Sequence, residues 1–439
     1  MTAPPLGPAG ILRLGLVQCA LGGLVMISTS MLNRVMVVEY ALPAVLPAAL
    51  IAWHYGVQLS RPAWGHASDR GGRRKPWIAG GTGMLALGSL LATNAVFLSQ
   101  FALVPALVVM VLAFTMIGGG VGAAGTSLLA LLASRVEPAR RPAAAATTWI
   151  LMVVGIAATA GVSSQFLDPF SPQRLALVAG GVALGAFLLT LAAIAGVREG
   201  AAAPEPDAAP PSFGRALQDA WADAPVRRFT IFVFVAMVAY SVQDVILEPF
   251  AGHVFAYTPG QSTALSGQQH AGVLVGMLLV GVFGRRLATL LPGGLRTLVV
   301  LGCLVSGSAL ALLALGAGVP QAFPLAPVVM LLGFGNGVFA VSAIAGMMDL
   351  AGFGGQGREG IRMGLWGAAQ AVAFGLGGLA GAAGVDAGRA VIGADAPAYA
   401  VVFAAEALLF LGAAGLALGV RMPGDRTPAA RPPSLGVAA

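Results

Sequence analysis

Long apolar runs, separated by short polar connections, fill almost the whole chain. A helix needs about 20 residues to cross the hydrocarbon core of a bilayer. On that length the pattern predicts about twelve spans, at approximately 13–36, 44–64, 77–98, 102–133, 143–165, 174–197, 228–249, 266–284, 297–317, 322–349, 363–385 and 397–420. The expected fold class is all-α, a polytopic membrane protein. The fourth and tenth runs are long and interrupted by glycine, so part of each is expected outside the core.

Composition sharpens this picture. The chain is 58% hydrophobic and only 9% charged, whereas charged residues make up about a quarter of a soluble domain. Lipid is therefore the expected solvent for most of the surface. The net charge of +7 comes almost wholly from arginines in the connections, without the continuous basic face or stacking platform that nucleic-acid binding requires. Arg61, Arg70, Arg73, Arg74 and Lys75, then Arg135, Arg140 and Arg141, residues 198–228, Arg285, Arg286 and Arg296, and Arg358 and Arg362 fall in alternate connections. By the positive-inside rule these connections and both termini are cytoplasmic. Cys19 and Cys303 lie inside apolar runs, with no spacing for a metal site or disulfide framework. Pro4, Pro5 and Pro8 precede the first run and no small-residue cleavage site ends it, so it reads as a retained helix.

The texture changes once, between the sixth and seventh spans. The expected organisation is a short cytoplasmic segment 1–12, a six-helix bundle 13–197, a cytoplasmic linker 198–227, a second bundle 228–421 and a disordered tail 422–439. Residues 201–211 are rich in Ala and Pro. Beyond them Phe213, Ala216, Leu217, Ala220 and Trp221 recur opposite Arg215, Gln218 and Asp219, as in a helix lying on the membrane surface. Glycine, at 62 residues, gathers inside spans, as in Gly118-Gly119-Gly120-Val121-Gly122 and from Gly375 to Gly381. Small residues let membrane helices approach closely; the same runs would also suit a large flat ligand or a partner helix.

The connection Gly65, Asp69, Arg70, Gly72, Arg73, Arg74 has the pattern G-x-x-x-D-R-x-G-R-R. It resembles the cytoplasmic hinge between the second and third spans of major facilitator superfamily transporters. There Asp69 would meet the N-terminus of the eleventh span near Arg362 to Leu365, where free helix-end amides attract an anion. The other reading is a loop carboxylate paired with Arg70 or Arg73. The equivalent stretch Gly281-Val282-Phe283-Gly284-Arg285-Arg286 lacks the aspartate.

Ionisable groups in a membrane are costly and are usually paired or functional. Arg34 and Glu39 fall at the outer end of the first span, Asp244 and Glu248 at the outer end of the seventh. Arg34 is expected either to pair with Asp244 or Glu248 across the two halves, or to anchor its span at the interface together with those groups. His54, between Trp53 and Tyr55, is a candidate ligand for the magnesium of a chlorin ring, against the plainer reading of a hydrogen-bonded interior histidine. His66 falls in the cytoplasmic hinge, while His253 and His270 are expected on the outer side. Glu406 is a further carboxylate without an obvious partner and a candidate for proton coupling. No phosphate loop, dinucleotide fingerprint, zinc spacing or Asp-rich diphosphate motif occurs, and no enzyme activity is expected.

Several segments resemble the PucC/LhaA family of light-harvesting complex assembly proteins. They are Met31 to Glu39, Arg135 to Pro142, Gln243 to Phe250, and a block holding Gly357, Arg358, Glu359, Arg362, Trp366 and Gln370 and running on to Gly378. The resemblance implies a twelve-span major facilitator fold in an inner or intracytoplasmic photosynthetic membrane. It implies a role in antenna assembly, with bacteriochlorophyll a as cargo or ligand. The partners it implies are light-harvesting alpha and beta polypeptides, bacteriochlorophyll synthase and the insertion machinery. Read from the residues alone, a secondary transporter of a small solute or lipid, proton-coupled through Glu406 or Glu39, stays open. So does a chaperone of polypeptides that never touches pigment.

Overall fold

The computed structural model describes residues 6–61, 64, 73–137, 141–197, 199, 218, 221–352 and 359–420. Gly65, Asp69, Arg70 and Gly72, most of the linker with its amphipathic segment, Gly357 and Arg358, and the tail lie outside them. Twelve principal helices run through the described residues. They are α1 Pro8–Glu39, α2 Val45–Val57, α3 Lys75–Leu98, α4 Leu103–Arg135, α5 Arg141–Leu167, α6 Pro172–Ile194, α7 Ala224–Phe255, α8 Pro259–Leu290, α9 Leu295–Gly316, α10 Leu325–Gly352, α11 Glu359–Ile392 and α12 Asp395–Leu418. All but α2, 11 in total, are long and apolar enough to cross a membrane. α2 tightens into a 3₁₀ turn at Gln58–Ser60 before its described part ends. The glycines of α4 and α10 do not interrupt those helices.

The largest departure from the hydropathy reading is at the start of α8. A capping box, with Thr258 accepting from the Gln261 amide and Gln261 from the Thr258 amide, starts the helix at Pro259. α7 meanwhile continues through Pro249 to Phe255. The polar residues that suggest a long outer connection are therefore inside helices. At about 1.5 Å per residue, Asp244 and Glu248 sit roughly three and two turns in from the end of α7. His270 belongs to the interior of α8, not to an outer connection, and its Nδ1 faces the Ser266 carbonyl at 2.9 Å.

Packing follows the small residues. One apolar core forms mainly among α1 to α6, joined by Val245 and Ala382 of the second half, and another mainly among α7 to α12, joined by Val153 of the first. The halves meet along α1 with α7, α2 with α11, and α5 with α8. A Cβ at Gly118 would lie 2.6 Å from the His54 carbonyl, and one at Gly120 would lie 2.6 Å from the Gly81 carbonyl. α4 therefore touches α2 and α3 backbone to backbone. Such contact is how membrane helices gain attraction when lipid already satisfies apolar surface.

Candidate functional site

The polar groups that α7 carries converge between the halves. Asp244 acts electrostatically on Tyr55 of α2, on Tyr240 of its own helix and on Glu406 of α12. Phe374 of α11 lies between the two phenols, its ring centre 5.4 Å from Tyr55 and 5.7 Å from Tyr240. Glu406 is 1% exposed and Gln243 fully buried. Among the described residues, no completed hydrogen bond reaches either Glu406 oxygen, either end of the Gln243 side-chain amide, or Asp244 Oδ1. An aromatic cluster with buried carboxylates at its edge thus occupies the contact between the halves. Hydropathy singles out Asp244 and Glu406 separately; Tyr55, Tyr240, Phe374 and Gln243 join them only through folding.

Arg34 does not form the expected pair with Asp244 or Glu248. Its guanidinium forms an ion pair with Glu39 on its own helix and donates to the Tyr257 carbonyl of the second half at 2.7 Å. The geometry follows from π-helical turns at Ile27–Met31 and Val35–Glu39, which widen α1 on both sides of Arg34. Glu248 is buried beside Ser262, Thr263 and Ser266 of α8, within electrostatic reach of Arg34, but among the described residues neither of its oxygens completes a hydrogen bond. Next to Arg34, Asn33 donates to the Val245 carbonyl at 2.5 Å and adds a second tie between α1 and α7.

His54 is 1% exposed and is held by a relay. Arg61 donates to the Gln58 side-chain oxygen, which orients the amide nitrogen toward His54 Nε2 at 2.8 Å. An amide nitrogen only donates, so Nε2 is the acceptor and the ring proton sits on Nδ1. The lone pair that would bind magnesium is occupied, and the residues present do not fit His54 as a chlorin ligand.

The described part of the hinge is anchored to the start of the linker and to α4. The Glu199 carboxylate accepts from the Arg74 and Lys75 amides at 3.0 and 2.6 Å, capping α3, while the Arg74 guanidinium donates to the Ala130 carbonyl of α4. Arg73 is exposed. In the block around the start of α11, Glu359 and Arg362 are on the helix. Trp366 is buried, its ring centre lies 4.9 Å from that of Phe229 in a tilted contact, and it donates to the Thr230 hydroxyl at 3.1 Å, fixing α11 to α7. Gln370 faces the Met237 sulfur.

One constellation has no signal in the hydropathy pattern. Arg389 of α11 reaches Asp395, His253 Nδ1 at 2.7 Å and the ring of Tyr399. Only the meeting of three helix ends at the outer surface assembles it.

A two-half helical membrane body whose polar groups gather between the halves defines a transporter-type architecture. Solved structures with this fold include a bacterial homologue of the human lysosomal transporter Spinster, inward-facing and unoccupied (TM-score 0.68, 13% identity, 96% of this chain and 98% of that one). The nucleoside transporter NupG is another (TM-score 0.64, 13% identity, 94% and 98%). The chain has the major facilitator fold. It belongs to the PUCC protein family, which it matches over residues 31–424. It is 53% identical over 416 residues to the bacteriochlorophyll synthase 44.5 kDa chain of Rhodobacter capsulatus, covering 94% of this chain and 96% of the relative. It is 29% identical to Protein PucC of Cereibacter sphaeroides, covering 91% and 90%.

Proposed function

We propose that this protein is an assembly factor for light-harvesting antenna complexes in a bacterial photosynthetic membrane, and not an enzyme. It takes bacteriochlorophyll a as cargo and presents it to the alpha and beta antenna polypeptides, alongside bacteriochlorophyll synthase and the insertion machinery. The observation that carries this reading is the family match across nearly the whole membrane body, joined to a relative whose printed name refers to bacteriochlorophyll. The interior supports it in kind: three aromatic rings between the halves suit a flat apolar cargo better than a sugar or an inorganic ion. On this reading pigment contact falls to Tyr55, Tyr240 and Phe374 and not to His54, and Asp69 governs release by latching the cytoplasmic side.

The test is purification from a photosynthetically grown host, with absorption spectroscopy and identification of bound polypeptides. Bacteriochlorophyll that co-purifies with the wild type and is lost in a Tyr55→Ala, Phe374→Ala variant of normal elution supports the reading. Antenna polypeptides bound without pigment would reduce it to a polypeptide chaperone. The unpaired burial of Glu406 beside Asp244 favours one other reading, a proton-coupled carrier of a small solute or lipid. Proton-dependent uptake into pigment-free liposomes, abolished in Glu406→Gln, would establish that instead.

A further inference from the structure

We propose that Asp168 and Asp386 form a paired clasp that holds the outer ends of the two halves together, each carboxylate capping a helix of the opposite half. Asp168 follows α5 in the first half. Its Oδ1 accepts from the Gly260 amide at 3.1 Å and its Oδ2 from the Thr258 hydroxyl at 2.6 Å, both at the N-terminus of α8 in the second half. Asp386 lies near the outer end of α11 in the second half. Its two oxygens accept from the Ala44 amide at 3.1 Å and the Val45 amide at 2.8 Å, at the N-terminus of α2 in the first half.

The two contacts are the same device used twice. α5 and α11 are the fifth helices of their halves, and α2 and α8 the second. Exchanging the halves therefore carries one contact onto the other. Each receiving helix is built to need an outside acceptor. The first amides of a helix have no partner within it and carry partial positive charge. The N-cap of α2 is Ala44, whose methyl side chain cannot accept a hydrogen bond from the helix amides. In α8 Pro259 supplies no amide proton, so Gly260 is the next free donor. Each aspartate is also steadied by an arginine of its own half: Arg174 donates to the Asp168 carbonyl, and Arg389 lies 3.8 Å from Asp386 while gripping Asp395. Arg34, bonded to the Tyr257 carbonyl just before α8, adds a third tie beside the Asp168 contact.

All four receiving and donating points lie in the connections and helix ends opposite the arginine-rich side, so the clasp closes the outer face. It faces the membrane side opposite the Asp69 hinge, and opening it must precede any outward exposure of the aromatic cluster. The clasp is the same whatever the cargo.

Spin-label distances in the full-length protein test it. Labels at Gln100 and Gln321, exposed outer positions in opposite halves, report the outer face, and labels at Glu137 and Thr289 report the cytoplasmic face, in a C19A/C303A background. The wild type should give one short outer distance. D168N/D386N should add a longer outer population and shorten the cytoplasmic distance, with each single variant intermediate. G260A keeps both aspartates, but its methyl would fall 2.7 Å from Asp168 Cγ; it should open the outer face as D168N does, and it carries the test if the double variant does not fold. Unchanged distances in these variants, or a lowered melting temperature without any new population, would show the aspartates to be ordinary helix caps and overturn the clasp.

Discussion

Arg34 and Glu39 pair across five positions of a single helix. In a regular α-helix, side chains three or four apart are the ones that meet. The π-helical turn Val35–Glu39, in which the Tyr40 amide bonds to the Val35 carbonyl at 3.1 Å, opens the helix enough to bring positions five apart together. A buried guanidinium is thereby neutralised inside α1, and its remaining donor is free to reach the second half.

Breaking this pair from the arginine side is predicted to be the milder insult. Removing one partner of a buried ion pair costs about 3–5 kcal/mol because a charge is left stranded; Glu39 is 27% exposed and Arg34 only 2%. Glu39→Gln should therefore destabilise more than Arg34→Met, since the stranded group is then the buried one. A double-mutant cycle read by thermal unfolding in detergent should show coupling between Arg34 and Glu39. It should show less than about 0.5 kcal/mol between Arg34 and Asp244.

Trp366 joins the cytoplasmic starts of α11 and α7, so its loss should be felt globally. Trp366→Ala is expected to cost about 3–5 kcal/mol as a large buried ring is removed. Trp366→Phe should cost about 1 kcal/mol, since packing on Phe229 persists while Thr230 loses its donor. Melting temperatures by fluorescence-detected size exclusion would separate the two; equal effects would contradict the contact.

For His54 the expected outcome divides structure from cargo. His54→Leu should leave pigment per molecule at the wild-type level, because Nε2 is already bonded to Gln58. Stability should fall by about 1–3 kcal/mol as the buried Gln58 amide loses its acceptor. Absorbance at the pigment band relative to protein, beside a melting curve, reads both. Pigment lost at unchanged stability would restore His54 as a ligand.

Glu406 is predicted to tolerate neutralisation. A carboxylate without a partner inside a membrane is disfavoured, so Glu406→Gln should keep or slightly raise the melting temperature. Glu406→Lys should prevent folding. A marked loss of stability in the glutamine variant would mean that the carboxylate has a partner, against the geometry of α12.

Helix approach can be checked in the same way. Gly120→Val places a branched side chain against the Gly81 carbonyl and the Leu85 amide, both 2.6 Å from its Cβ. Overpacking of this kind costs about 1–3 kcal/mol. Gly180→Val, with nothing within 4 Å, should be neutral, and the comparison isolates the contact from the general effect of removing glycine.

Local sequence was enough for the membrane solvent, the number and rough bounds of the helices and the family resemblance, and the positive-inside rule supplies an expected orientation. These rest on the length of apolar runs and the side on which arginine falls, and lipid enforces them without regard to tertiary detail. It also marked Arg34, Glu39, Asp244, Glu248 and Glu406 as costly groups, because any ionisable residue stands out against such a background. Which of them meet depends on the packed helices. The π turns of α1 send Arg34 to Glu39, the continuation of α7 to Phe255 places Asp244 and Glu248 two to three turns inside it, and the relay from Arg61 through Gln58 takes up the lone pair of His54. Asp168 and Asp386, plain connection and helix-end carboxylates in sequence, acquire their partners because the facing half presents a helix N-terminus there. Pairing is a property of distance across helices, and hydropathy along one chain carries no record of it.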